Sequence, residues 1–136
     1  MQQSRDVYTT SLVQWSYSRN EWKSFQRLHN RKKGWLPYLI HLAWFSRTTT
    51  IPIISITKDR ISINAKEEVF TSFSRQLTRI GIREKQNLNL LEICYRCRDK
   101  GPCEITVPIP KGKLKEAIAV EEELNRIRLI PPGLLL

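Results

Sequence analysis

Between Ile54 and Ile109 several runs place apolar side chains at every second position, whereas over residues 18–33 and 113–128 the spacing is three and four. Period two marks strands with one buried face, whereas a period near 3.6 marks a helix with one buried stripe. A chain that switches between them must contain both, so the expected class is α+β with a largely antiparallel sheet. Ile54 and Ile56, then Ile61 and Ile63, flank Lys58-Asp59-Arg60 and form a hairpin. Val69, Thr71 and Phe73 continue the alternation as a further strand, and in Arg79-Ile80-Gly81-Ile82-Arg83 the isoleucines and arginines take opposite faces. Leu91, Ile93, Tyr95 and Cys97 form an inward set, with Glu92, Cys94, Arg96 and Arg98 outward. The turn Asp99-Lys100-Gly101-Pro102 leads into Ile105, Val107 and Ile109, so these last two strands pair antiparallel. Residues 7–17, rich in β-branched and aromatic types, are the expected first strand.

Residues 18–33 (SRNEWKSFQRLHNRKK) read as an amphipathic helix. Ser18 followed three places later by Glu21 is a capping box, which satisfies donors that a first turn otherwise leaves bare. At about 100° per residue, Trp22, Phe25, Leu28 and His29 fall in one arc while Arg19, Lys23, Arg27 and Arg31 run along the other side. Lys32 and Lys33 extend this cationic strip and suit the negative end of the helix dipole. A second helix is expected over residues 113–128, where Ala117, Val120, Leu124 and Ile127, joined by Leu114 and Ile118, form a stripe for the sheet. Glu121, Glu122 and Glu123 belong to its wet side, and Pro131 and Pro132 forbid continuation. The organisation is then one α+β domain over residues 1–130 and an apolar tail over 131–136.

Charge is uneven. Residues 1–60 hold 10 of the 23 basic side chains but only 3 of the 13 acidic ones, within a net charge of +10. Such a field favours polyanions without choosing among nucleic acid, anionic lipid and acidic protein. Residues 1–10 lack an apolar core and a small-residue cleavage pattern, so the expectation is a cytoplasmic chain able to lie peripherally on a membrane. The longest apolar run, residues 35–45 (WLPYLIHLAWF), is far short of the roughly 20 residues that a spanning helix needs.

The three cysteines, Cys94, Cys97 and Cys103, have the look of a partial metal knuckle. On a strand Cys94 and Cys97 project to opposite faces, and a structural zinc site wants four convergent ligands, so no metal is expected. Cys97 and Cys103 flank a turn and can face each other, although a cytosolic setting favours free thiols. Two histidines, His29 and His41, and the absence of a Ser-centred elbow, a Gly-rich phosphate loop or paired inward carboxylates leave little for catalysis. Neither an enzyme nor a cofactor is expected.

The order of elements, with YSRNEWKSFQR (Tyr17, Ser18, Glu21, Trp22, Phe25 and Arg27), the strand pair ISITKDRISIN and the approach IPKGKLKEAI, resembles bacterial pleckstrin-homology-like domains of the YcxB-like type. That resemblance implies a bent antiparallel sheet, as a barrel or sandwich, closed by a C-terminal helix. Members of this layout carry a transmembrane hairpin where this chain has only residues 35–45. The expected function is a non-enzymatic binding or adaptor module. Arg19, Lys23, Arg27, Arg31, Lys32 and Lys33 would engage an acidic protein or an anionic membrane surface, with Trp35 and Trp44 as anchors. One alternative is nucleic-acid binding by the same face, with Tyr38 or Trp35 stacking on bases. Another is a structural subunit of a larger assembly.

Overall fold

The computed structural model describes residues 11–31, 51–63 and 66–130, with the side chains of 29–31 left aside. Its elements are β1 (Val13–Trp15), α1 (Arg19–Arg31), β2 (Ile54–Ile56), β3 (Arg60–Ile63), β4 (Lys66–Val69), β5 (Arg75–Lys85), β6 (Leu88–Cys97), β7 (Gly101–Pro108) and α2 (Leu114–Arg128). The α+β expectation holds. The strands form two antiparallel sheets, β1-β2-β3-β4 and β5-β6-β7, and among the described residues these do not close into a barrel.

Register follows from the alternation. Trp15 faces Ile54 and Ile54 faces Ile63, while Val13, Ile56 and Ile61 form the next row. All six are buried. Burying each such aliphatic side chain is worth about 1.5–3 kcal/mol, and a slip of one residue would expose the whole set. In the second sheet Leu77 lies opposite Tyr95 and Ile80 opposite Ile93, and a bulge between Leu77 and Arg79 keeps both on the inner face. The β5–β6 hairpin closes on Gln86 and Asn87, both at positive φ, the geometry that matches strand twist in a two-residue turn. One buried cluster draws on both sheets and both helices, with Trp22, Phe25 and Leu28 from α1 and Ala117, Val120, Leu124 and Ile127 from α2.

Three sequence expectations are corrected. The set Val69, Thr71, Phe73 is not a strand face: β4 stops at Val69, Phe70 is fully buried and Phe73 is 85% exposed. The N–H groups of Phe70 and Thr71 both donate to the Asp59 carbonyl, at 2.9 and 3.2 Å, and carry the chain out of the ladder. Leu114 and Ile118 are exposed and not part of the α2 stripe. At 100° per residue they lie roughly 100° and 140° from the centre of the buried line. Glu92 is buried instead of outward, with its side chain only 5% exposed, because Arg79 and Arg83 reach over it from the neighbouring strand.

The expected first strand is seen as β1, with buried Tyr17 following it; residues 1–10, 32–50, 64, 65 and 131–136 lie outside the described residues. No helix among the described residues is long and apolar enough to cross a membrane.

Candidate binding surfaces

The first surface is the outer side of α1. Its start is set by the capping box: Ser18 N–H donates to Glu21 Oε1 at 2.8 Å, and Glu21 N–H donates to Ser18 Oγ at 3.1 Å. The second carboxylate oxygen accepts from Lys111 N–H at 2.5 Å, which ties the helix to the segment entering α2. Burial pushes the Glu21 carboxyl up, but these hydrogen bonds from Ser18 and Lys111 outweigh it and hold the group below the ordinary carboxylate range. Inside, the Tyr17 and Trp22 ring centroids are 5.7 Å apart and those of Trp22 and Phe25 are 5.3 Å apart. The Tyr17 hydroxyl donates to the Pro108 carbonyl at 2.6 Å, and burial, with Glu21 nearby, raises its pKa well above the usual phenol value.

With its inner side packed, α1 presents Arg19, Lys23 and Arg27 outward at intervals of four, and all three are exposed. None makes an ion pair with a carboxylate among the described residues; Arg27 has only a 3.3 Å contact with Ser24 Oγ. The strip spans about 12 Å at 1.5 Å per residue. The one acidic residue of α1, Glu21, turns its carboxylate to the N–H groups of Ser18 and Lys111 and makes no ion pair with Arg19, Lys23 or Arg27. Arg31 is the last residue of the helix, and the expected Lys32, Lys33, Trp35, Tyr38 and Trp44 lie outside the described residues.

The second surface escaped the sequence reading. At the corner where β4 passes the chain to β5, a groove of about 810 Å³ runs past Lys58 and Arg60, under Phe73, and along Arg75, Arg96 and Arg98 to Ile127 near the end of α2. Its cations fall into two groups. Arg60 is held by Asp59 at 3.1 Å and by Glu67 at 3.1 Å, and Arg75 by Glu68 at 3.0 Å and the Val69 carbonyl at 2.7 Å. Glu68 also accepts from the Tyr95 hydroxyl at 2.6 Å. Lys58, Arg96 and Arg98 are exposed and have no carboxylate partner within ion-pair distance among the described residues. The sequence signal for this corner is the run Thr71-Ser72-Phe73-Ser74, whose serines mark a turn while its phenylalanine falls in step with the strand alternation.

The cysteines are free thiols. Cys97 and Cys103 lie on one face of the β6–β7 ladder with their sulfurs 3.5 Å apart, while Cys94 is beside Arg79. Burial, followed by Glu104 for Cys94 and by Cys103 for Cys97, pushes both thiols up, opposite to the shift that activates a nucleophile. No cluster of three or more potential metal ligands occurs among the described residues.

These features define an α+β protein with two antiparallel sheets and two cationic surfaces. Comparison with protein-family models, curated proteins and solved structures finds no match to the chain.

Proposed function

We propose that this protein is a non-enzymatic binding module whose basic helix engages an acidic protein or an anionic membrane surface. The observation that carries the reading is the row Arg19, Lys23, Arg27, exposed and without carboxylate partners among the described residues, on a helix whose other side is anchored in the core. A cationic row on a rigid support attracts polyanions at little ordering cost. The reading includes a pleckstrin-homology-like relationship of the YcxB-like type, supported by the succession of a short strand, a capped helix, antiparallel strands and a final helix. It also includes a cytoplasmic setting, with peripheral contact to a membrane.

The test is co-sedimentation with vesicles with and without phosphatidylserine, together with binding to polyglutamate. The variants are wild type and Arg19→Gln/Lys23→Gln/Arg27→Gln. On anionic vesicles each basic residue near the surface is worth about 1 kcal/mol, so the triple variant should bind roughly two orders of magnitude more weakly. Equal binding by a variant that keeps the wild-type circular dichroism would refute the reading. A parallel pull-down from cytosol, with and without nuclease, separates protein partners from nucleic acid.

A further inference from the structure

We propose that the groove at the β4–β5 corner binds single-stranded nucleic acid, with a base stacked on Phe73 and successive phosphates on Arg96 and Arg98. This goes beyond the role of α1, because it concerns different residues at the other end of the fold. Glu21 of α1 is bonded to Lys111, just before α2 starts, whereas the groove reaches Ile127 in the last turn of α2. An intervening 15-residue helix is about 22 Å long.

Three observations converge on this occupant. Phe73 is 85% exposed, the most exposed large apolar side chain among the described residues, and it borders a cationic groove. A ring held in this way has a free face, and every base has a complementary one. Arg96 lies in β6 and Arg98 one residue past its end at the turn into β7, so their Cα atoms are at most about 7 Å apart and the two cations follow one another along the groove. A row suits the repeating charge of a sugar–phosphate backbone; a single compact anion would call for convergence. Lastly, the acid lining the groove is already engaged: Asp59 is bound by Arg60 and by the Thr57 hydroxyl, and nearby Glu68 by Arg75 and Tyr95, so Arg96 and Arg98 keep the groove positive. An acidic peptide would satisfy the cations but would leave the Phe73 ring without a stacking partner.

The experiment measures fluorescence anisotropy of a labelled oligo(dT) strand with the full chain, using its duplex with oligo(dA) and polyglutamate as competitors. The single strand should bind more tightly than the duplex. Phe73→Ala should weaken binding by about 5- to 150-fold, the range for loss of one stacked base. Phe73→Trp should retain affinity and add a tryptophan quench on binding beyond any that the four native tryptophans give. Arg96→Gln/Arg98→Gln should reduce the slope of log affinity against log salt by about 1.4, at roughly 0.7 per phosphate contact on a single strand. In the α1 triple variant the Phe73 effect should persist in full, which keeps this outcome separate from that of the α1 reading. The proposal is overturned if wild type does not bind oligo(dT), or if duplex binds as well as single strand. Unchanged affinity of Phe73→Ala, or displacement by polyglutamate at equal charge concentration, would overturn it as well. All three substituted residues are exposed, so the variants should fold, and thermal melts check this.

Discussion

Glu92 offers a test of how charge is buried in this sheet. Its carboxylate is 5% exposed and is held by Arg83 at 2.7 Å and Arg79 at 3.5 Å, whose own side chains are 53% and 60% exposed. Removing one partner of a fully buried ion pair costs about 3–5 kcal/mol, because the survivor is left unpaired away from water. Here the two directions of removal are unequal. Glu92→Gln leaves two arginines that rehydrate in place, so the loss should be only about 1 kcal/mol, near that of an ordinary hydrogen bond. Arg83→Ala leaves a buried carboxylate with only its longer contact, so the cost should be about 2–3 kcal/mol, discounted from the buried-pair figure because the gap admits some water. Glu92→Leu should come within about 1 kcal/mol of wild type, since an apolar side chain of similar size removes the buried charge altogether. Urea unfolding at constant m measures all three, and adding Arg83→Ala to Glu92→Leu should then cost under about 0.5 kcal/mol. If Glu92→Gln costs more than Arg83→Ala, or if the Arg83 effect is undiminished in the Glu92→Leu background, the account of this site is wrong.

The capping box predicts that Ser18→Ala destabilises the fold by about 1 kcal/mol in thermal or urea melts. The Glu21 carboxyl is depressed in the folded state, so its contribution is complete above the ordinary carboxylate value of 4.5 and is lost as pH falls through the folded value. The advantage of wild type over Glu21→Gln should therefore be flat at neutral pH and shrink in melts below about pH 4. Thr71 Oγ1 is buried without a hydrogen-bond partner among the described residues, and Thr71→Val should stabilise the protein by about 1 kcal/mol, read as a higher urea midpoint. Oxidation by diamide should join Cys97 to Cys103, whose sulfurs lie 3.5 Å apart, with loss of two hydrogens in the intact mass. Cys103→Ser should block this and Cys94→Ser should not. Because burial and Cys103 raise the Cys97 thiol, the rate should increase toward alkaline pH; a pH-independent rate would contradict that picture.

Period and capping were legible because they are local. Ser18 and Glu21 are three residues apart, and the rows Ile54, Ile56 and Ile61, Ile63 need only a two-fold alternation and one turn to find each other. The cationic strip on α1 was legible for the same reason, since spacing of four puts Arg19, Lys23 and Arg27 on one side of any helix. Glu92 failed because alternation assigns a side by parity alone. Whether that side is wet depends on Arg79 and Arg83, which arrive from another strand. Phe73 failed because continuing the alternation past Val69 assumed an extended chain, and two N–H bonds to Asp59 end it.

By itself, then, the sequence determined the α+β class, the antiparallel pairings of β2 with β3 and of β6 with β7, the start of α1 and the basic side of that helix, all of which depend on nearby stretches of chain. Tertiary structure alone decided that the strands divide into sheets of four and three, that Glu92 is covered and that Phe73 is exposed. It also decided that Lys58, Arg96 and Arg98 share a groove with Phe73. The physical reason is distance along the chain. Lys58, Phe73 and Arg98 are brought together only when β3, β4 and β6 have each found their partners, and burial of the core, not the preference of any local segment, brings those strands into place.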